Sequence, residues 1–180
     1  MKYISILRGI NVGGHKKILM ADLKNLYAQL GFTNVISYIQ SGNVVFDSNI
    51  SDVNQIITSI EKAITTRYGF DVPVIIRTHA EIKKVFENSP FEEIDLKTEG
   101  SKYFLTMLSD LPSNENIETL LGFVKPPESL QITGNNIYIH YPNGAGRKKL
   151  TNALIENKLK VKVTSRNWKT VVKLIELSKD

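Results

Sequence analysis

The chain contains no cysteine. That absence excludes disulfide scaffolds, thiolate catalysis and every zinc site built on cysteine ligands. The sequence also contains no apolar run close to the roughly 20 residues that a membrane-spanning helix needs, and Arg8 interrupts the apolar N-terminus too early for a signal peptide. We therefore expect a soluble protein of the cytoplasm with no membrane partner.

Histidine is also scarce, and His15, His79 and His140 lie far apart without the spacing of metal ligands. Residue spacing alone yields no catalytic constellation, so the sequence leaves open whether the protein is an enzyme. We expect no metal and no cofactor. With 180 residues, of which 42% are hydrophobic and 23% charged, the chain can still bury a core without disulfides.

Positive charge is concentrated near the C-terminus. Residues 144–180 contain 10 Lys and Arg against 3 Asp and Glu, a net charge of +7, whereas residues 1–143 contain 13 against 15, a net charge of −2. Such asymmetry favours an anionic partner for the C-terminal segment. The alternative is a solvated helical face.

Hydrophobic periodicity predicts a β-α-β-β-α-β order in the first half of the chain. A tight hairpin is predicted around Ser41-Gly42, and Ser51 is predicted to start the second helix. The predicted strands lie at residues 2–8, 35–40, 43–47 and 72–78, and the predicted helices at about residues 20–30 and 52–68. This order is the split βαβ, or ferredoxin-like, arrangement.

The second half repeats much of this order. Strands are predicted at residues 102–108, 128–133, 136–141 and 161–164, and helices at about residues 114–123, 148–158 and 167–178, after a helix at about residues 80–88. The hairpin Gln40-Ser41-Gly42-Asn43 resembles Ile132-Thr133-Gly134-Asn135, which indicates an internal duplication unless the two turns converged on the same residues.

We therefore predict an α+β fold of two related ferredoxin-like halves, with mainly antiparallel sheets and extra helices. The predicted first half covers residues 1–88, a connector covers residues 89–101, and a second half with basic C-terminal helices covers residues 102–180. Trp168 is predicted to lie in the core.

Two glycine-rich basic loops, each between a predicted strand and a predicted helix, are the strongest candidates for a site. They read Arg8-Gly9-Ile10-Asn11-Val12-Gly13-Gly14-His15-Lys16-Lys17 and Asn143-Gly144-Ala145-Gly146-Arg147-Lys148-Lys149. Glycines let backbone N–H groups approach a ligand closely, and a helix N-terminus favours anions. Neither loop matches the phosphate loop or the dinucleotide-binding pattern. The alternative is that the glycines serve turn geometry and the lysines are solvated.

The helix predicted at residues 148–158 has Arg147, Lys148 and Lys149 at its start. Cations there oppose the helix macrodipole by roughly 0.3–1 kcal/mol each, so an anion or acidic side chains would have to offset them. We therefore predict binding of a ligand that carries a phosphate or carboxylate group. The predicted site requires the two loops to converge, with Arg8, Asn11, Gly13, Gly14 and Lys16 on one side and Gly144, Gly146, Arg147, Lys149, Arg166 and Asn167 on the other.

Two other functions stay open. The basic C-terminal segment could bind nucleic acid, which is the less favoured alternative and requires lysines on one continuous face. Residues 43–46 contain a single aromatic residue, Phe46, and lack the basic-Gly-aromatic start typical of RNA-recognition modules, which argues against RNA binding by that mode. The third function is an enzyme acting on a phosphorylated metabolite, with a carboxylate or His15 near the reacting atom.

Several motifs resemble the bacterial domain-of-unknown-function family numbered sixteen ninety-seven. They are Ile6-Leu7-Arg8-Gly9-Ile10-Asn11-Val12-Gly13-Gly14, Tyr38-Ile39-Gln40-Ser41-Gly42-Asn43-Val44-Val45-Phe46, Pro142 with Gly144, Gly146 and Arg147, and Thr164 with Arg166, Asn167 and Trp168. The resemblance implies an α+β fold with duplicated halves and no assigned activity. It also implies Ser-Lys-Leu after the Gly-Arg pair, where this chain has Lys148-Lys149-Leu150, so a serine hydroxyl is missing at that position.

Overall fold

The computed structural model describes residues 1–91 and 94–179, and for Arg147 it describes the backbone but not the side chain. The chain forms two compact units. The first consists of Met1–Lys83 with the chain from Leu174 onward, and the second consists of Lys84–Lys173. The half boundaries expected from the sequence, at residues 88 and 102, stay a prediction.

The first unit contains β1 (Lys2–Leu7), α1 (Met20–Gln29), β2 (Thr33–Tyr38), β3 (Asn43–Asp47), α2 (Val53–Tyr68) and β4 (Val74–Thr78). Its strands form a four-stranded antiparallel sheet with the order β2-β3-β1-β4. Helices α1 and α2 pack against one face of this sheet, and Phe46, Tyr27 and Phe32 form an aromatic cluster in the core between them. Helix α3 (His79–Glu87) starts in the first unit and ends in the second.

Helix α2 shows why the local sequence folds as predicted. Its buried positions Ile56, Ile60 and Ile64 recur every four residues and face the core. The helix is capped by the Asp52 carboxylate, which accepts hydrogen bonds from two backbone N–H groups of the first turn, so the predicted start at Ser51 was one residue too early. It ends at Gly69, which has a left-handed φ of 76°.

The second unit repeats this architecture and contains β5 (Tyr103–Leu108), α4 (Asn114–Leu121), β6 (Ser129–Thr133), β7 (Asn136–His140), α5 (Asn152–Leu159) and β8 (Val163–Asn167). Its strands form a second four-stranded antiparallel sheet with the order β6-β7-β5-β8. Helix α6 (Trp168–Leu177) starts in the second unit and ends in the first. Trp168 is buried, as predicted. The predicted α+β class with two similar halves is confirmed.

Three sequence predictions were wrong in the second half. The helix predicted from residue 148 begins at Asn152, where Thr151 caps it with a 3.2 Å hydrogen bond from the Leu154 N–H to the threonine hydroxyl. The chain before it forms a short 3-10 turn at Ala145–Arg147. The strand predicted at residues 161–164 lies at Val163–Asn167, where its pairing with β5 extends it towards α6.

The third error concerns the two hairpins. In the first, Tyr38 pairs with Asn43 across a four-residue loop, whereas in the second Thr133 pairs with Asn136 across a two-residue turn. Asn43 therefore corresponds to Asn136 and not to Asn135, so the aligned hairpin motifs are not structural counterparts.

Within the described residues, no helix has both the length and the apolar character needed to cross a membrane.

Candidate functional site

The first glycine-rich loop leaves the end of β1 and leads into α1. Val12 and His15 form an isolated antiparallel bridge, closed by a 3.0 Å hydrogen bond from the His15 N–H to the Val12 carbonyl. The two residues between them, Gly13 and Gly14, have φ values of +57° and +79°. A two-residue turn with positive φ at both positions favours glycine, so turn geometry accounts for this pair.

The turn leaves two backbone donors open. The N–H groups of Gly13 and Gly14 donate no hydrogen bond to any described residue, and both glycines are exposed. Neither glycine has a side chain to keep a ligand away from its N–H group. The tip of the loop can therefore receive an acceptor group from outside.

Asn11 holds this loop in place. Its side-chain nitrogen donates to the carbonyls of Ile18 and Gln40, each at 2.9 Å, and its side-chain oxygen accepts from the Ile18 N–H at 2.9 Å. The residue has a left-handed φ of 54°, a conformation that asparagine tolerates. Its predicted role as a ligand contact stays a prediction, but most of its hydrogen-bonding capacity is already used by the loop.

The basic residues of the first loop differ in what they contact. The Lys16 ammonium donates to the backbone carbonyl of Asp71 and lies 5.9 Å from the centre of the Phe70 ring. Arg8 is half-buried, and its backbone N–H donates to the Pro73 carbonyl at 2.9 Å. Lys17 is exposed and makes no ion pair or hydrogen bond with a described residue. The two adjacent lysines look alike in the sequence, and the predicted set contained Lys16 but not Lys17.

A cavity of about 400 Å³ lies beside this loop, and we call it the first-loop cavity. It collects side chains from the loop, the start of α1, the β2–β3 hairpin and the end of α2. Its lining residues are Asn11, Gly14, Lys17, Ile18, Leu19, Asp22, Gln40 and Tyr68. Two of the predicted site residues, Asn11 and Gly14, thus meet at one cavity. Asp22 and Tyr68 were missed because each sits in an ordinary helical pattern.

A small charged cluster adjoins the first-loop cavity at Asp22 and Tyr68. An Nη of Arg67 lies 3.8 Å from an Oδ of Asp22, and the Arg67 guanidinium lies 5.7 Å from the centre of the Tyr68 ring. Burial raises the pKa of the Tyr68 hydroxyl, Arg67 lowers it in part and Asp22 raises it again. The hydroxyl oxygen is buried and has no hydrogen-bond partner among the described residues.

The second glycine-rich loop follows β7 and leads into α5. It is therefore not the counterpart of the first loop, which follows β1; the counterpart of β7 is β3. Strand β7 runs antiparallel to β5, so the second loop leaves its sheet at the end where β5 begins. The two loops therefore do not occupy equivalent positions in the two halves, because the order of connections places them after different strands.

A carboxylate of the chain itself accepts from two backbone N–H groups at the end of the second loop. One oxygen of Glu128 accepts from the Lys149 N–H at 2.7 Å, and the other accepts from the Leu150 N–H at 3.0 Å. This contact also keeps residues 148–150 out of α5, so the predicted placement of three cations in a first helical turn was wrong. From the sequence, either an anion or acidic side chains would have to offset the cations at this position, and Glu128 is such an acidic side chain.

Lys148 and Lys149 behave differently. The Lys148 ammonium lies 5.6 Å from the ring centres of both Phe104 and Tyr141, and burial lowers its pKa while Glu128 raises it. Lys149 is exposed and borders a second cavity of about 450 Å³, which we call the second-loop cavity. Its lining residues are Lys125, Pro126, Pro127, Glu128, Tyr141, Asn143, Gly144 and Lys149.

The remaining predicted residues have structural contacts. Arg166 is 7% exposed, and one Nη donates to the Thr164 hydroxyl at 3.0 Å and to the Ser165 carbonyl at 2.8 Å. Burial lowers the pKa of Arg166 to about 9, which leaves it charged at neutral pH. The side-chain oxygen of Asn167 accepts from the Thr170 N–H at 2.9 Å and so caps α6. Gly146 is exposed in the 3-10 turn, and the Arg147 side chain lies outside what the structure describes.

The predicted residues thus form two separate groups. Asn11 and Gly14 line one cavity, in the first unit, while Gly144 and Lys149 line another, in the second unit. That the two loops share one site stays a prediction.

Comparison with known proteins places the chain in a family. No curated protein matches it. It is similar to the solved structure of the conserved bacterial protein SP0830 from Streptococcus pneumoniae, with 24% sequence identity over 99% of this chain and 98% of that chain and a TM-score of 0.77. That similarity concerns the fold alone. A family model described as "Protein of unknown function (DUF1697)" matches residues 1–138, which include the whole first-loop cavity. The chain therefore belongs to the DUF1697 family, as its motifs predicted.

Proposed function

We propose that the protein binds a small ligand through a phosphate or carboxylate group at the first glycine-rich loop. The observation that carries this proposal is the pair of open N–H groups at Gly13 and Gly14, beside a cavity lined by the uncommitted cation Lys17. The proposed ligand class is the one predicted from the sequence, and the proposed binding site is the first loop alone.

The chemistry of the loop suits an anion. Hydrogen bonds from N–H or ammonium groups to an ionised acceptor are roughly twice as strong as neutral ones. The donors at Gly13 and Gly14 are held by the turn, so little ordering is needed when a ligand arrives. The first turn of α1 borders the same cavity through Leu19 and Asp22, and Leu19 at the N-cap provides no side-chain cap. An anion near this end would also interact favourably with the helix dipole.

The second loop is less suited to an external anion. Glu128 already accepts from the N–H groups of Lys149 and Leu150, so a ligand would have to displace an internal carboxylate. A second candidate site therefore requires that Glu128 moves away, and it would consist of Gly144, Gly146, Arg147 and Lys149.

Nucleic-acid binding, the alternative function, has weaker support. It requires the C-terminal cations to share one open face, but Arg166 is buried and Lys148 lies against two aromatic rings. The Lys169 ammonium donates to the Lys97 carbonyl at 3.0 Å, and the Lys158 ammonium lies 3.9 Å from the centre of the Phe123 ring. These contacts divide the basic segment among several local environments.

Thermal denaturation in inorganic phosphate tests the proposed site at constant ionic strength. Phosphate should raise the melting temperature of the wild type. It should do the same for the matched control Lys149→Gln, because that substitution does not touch the first loop. A ligand at about 100 times its dissociation constant stabilises a fold by roughly 2.7 kcal/mol. In Lys17→Gln the shift should be largely lost.

Two outcomes contradict the proposal. Either no variant responds to phosphate, or all three respond equally, in which case binding does not involve Lys17. A parallel series with a short RNA separates the alternative function, since stabilisation by RNA alone that high salt abolishes would favour nucleic-acid binding.

A further inference from the structure

We infer that the ligand of the first-loop cavity is dipolar and carries an ammonium group near its phosphate or carboxylate. This inference rests on the proposed function and names the chemical class of its ligand. It is carried by two side chains of opposite charge, Lys17 and Asp22, and one buried hydroxyl, that of Tyr68, in residues that line the same cavity.

The cavity has a cationic side and an acidic side. Lys17 and Asp22 both line it, yet no ion pair joins them in the part of the chain that the structure describes. A ligand with only negative charge would gain from Lys17 and be repelled by Asp22. A ligand that presents an ammonium group to Asp22 gains from both, which is the charge complementarity expected of a specific site.

Asp22 has room for a second partner. Its contact with Arg67 is long, at 3.8 Å, and both side chains are 39% exposed. Exposed pairs of this kind are weak because water and salt screen them. The carboxylate can therefore accept a hydrogen bond from a ligand while the Arg67 contact persists.

The Tyr68 hydroxyl gives an independent indication of a ligand. Buried polar groups in proteins nearly always have a hydrogen-bond partner, but this oxygen has none among the described residues. Tyr68 lines the cavity next to the charged cluster, and the exposed Gln40 lies on the same lining. A polar ligand group that enters between them can supply the missing partner.

The size of the cavity fits a small dipolar molecule. Its volume of about 400 Å³ is at the lower end of the range for small-molecule sites, about 300–1,000 Å³. Ile18 and Leu19 contribute an apolar surface against which a short carbon linker can pack. An amino acid or a phosphorylated amino alcohol has these features.

Calorimetric titration with matched probes tests the inference. Phosphoethanolamine is compared with ethyl phosphate and inorganic phosphate, and β-alanine with propionate, so that each pair differs in the ammonium group. One charge-assisted hydrogen bond corresponds to about a tenfold difference in affinity. We expect an amine-bearing probe to bind about tenfold tighter than its amine-free match, and Asp22→Asn to remove that advantage while phosphate binding is kept or strengthened.

Two further variants separate recognition from structure. Arg67→Gln keeps the Asp22 charge and removes its competitor, so it should tighten binding of the amine-bearing probe. Tyr68→Phe should weaken that binding without lowering the melting temperature of the free protein.

The inference is overturned if phosphate binds in a Lys17-dependent manner but an added ammonium group brings no gain. In that outcome the proposed function stands. If neither phosphate nor any probe binds, both the inference and the proposed function fail.

Discussion

The two glycine-rich loops contain the same kinds of residues but differ in what the protein does with them. In the first loop, Gly13 and Gly14 form a tight turn whose N–H groups stay open. In the second loop, a glutamate from the preceding hairpin segment accepts from the N–H groups of Lys149 and Leu150. A glycine- and lysine-rich loop therefore identifies an anion-binding geometry, while the nearby carboxylates decide whether an external anion can use it.

The same contrast appears at the helices that follow. Helix α5 is capped by the Thr151 side chain, whereas Leu19 at the N-cap of α1 provides no side-chain cap. The four predictions below test how far the two halves differ, from the largest expected effect to the smallest.

The largest effect is expected at the hairpin glycine of the first half. An added Cβ at Gly42 would lie 2.7 Å from Ile10 and 2.8 Å from Leu7, and its φ is +77°. Overpacking by one methyl group costs about 1–3 kcal/mol, and a left-handed conformation adds about 1–2 kcal/mol. Gly42→Ala should therefore lower the free energy of unfolding by about 2–5 kcal/mol, measured by urea denaturation followed by circular dichroism.

Gly134 in the second hairpin is the matched control. Its φ is +58°, but a Cβ there would meet nothing within 4 Å. Gly134→Ala should cost only the conformational part, about 1–2 kcal/mol. Equal losses in the two variants would show that the close contact of Gly42 with the first loop is unimportant.

The second prediction concerns the internal carboxylate of the second loop. Glu128→Ala leaves the Lys149 and Leu150 N–H groups without their acceptor, and we expect a loss of about 1–3 kcal/mol in the free energy of unfolding. Sulfate should restore part of that loss, because an external anion can then occupy the vacated position. The measurement is the melting temperature in sulfate against chloride at equal ionic strength, for the wild type and the variant. A sulfate response no larger than that of the wild type would contradict this role for Glu128.

The third prediction compares two tyrosines. The Tyr141 hydroxyl donates to the buried Leu150 carbonyl at 2.7 Å, so Tyr141→Phe should cost about 1–2 kcal/mol by leaving that carbonyl without a donor. The Tyr68 hydroxyl has no partner among the described residues, so Tyr68→Phe should leave the stability of the free protein unchanged or raise it slightly. Urea denaturation of both variants decides the point, and a clear loss of stability in Tyr68→Phe would rule out an unsatisfied hydroxyl.

The smallest effect is a pH dependence in the second half. His140 stacks on Tyr103 with ring centres 4.2 Å apart, and burial lowers its pKa below the ordinary 6.5, with Glu99 opposing and Lys102 adding to the decrease. The unfolded chain therefore binds a proton more readily than the folded one just below that pH, and stability falls on acidification through the folded pKa.

His140→Gln removes this titrating group. Between pH 7.5 and about 5.5, the melting temperature of the wild type should fall more steeply than that of the variant. Parallel curves would show that His140 does not contribute to the acid sensitivity.

Much of the fold could be predicted from the sequence because its signals are local. The apolar spacing of Ile56, Ile60 and Ile64 predicted α2, and the alternating strands predicted both sheets. The start of α5 could not be predicted, since it depends on a carboxylate more than 20 residues earlier in the chain that holds residues 148–150 out of the helix. The mismatch of the two hairpins depends on strand register, which four residues at a turn do not specify.

The candidate site was predicted only in part for the same reason. Gly14 and Asn11 could be found from the loop composition, and both line the first-loop cavity. Asp22 and Tyr68 reach that cavity only because α1 and the end of α2 fold beside the loop. The roles of Lys16 and Lys17 differ because the first meets the Asp71 carbonyl and the second does not, a distinction that adjacent identical residues cannot reveal.

The most direct test of the account is a phosphate titration followed by two-dimensional ¹⁵N–¹H NMR, which observes both loops in one sample. The account predicts that the Gly13 and Gly14 amide signals move and saturate, while the Lys149 and Leu150 amide signals, bound to Glu128, stay in place. Saturable movement of the Lys149 and Leu150 signals without a change at Gly13 and Gly14 would contradict it. So would the absence of any saturable change at Gly13 and Gly14.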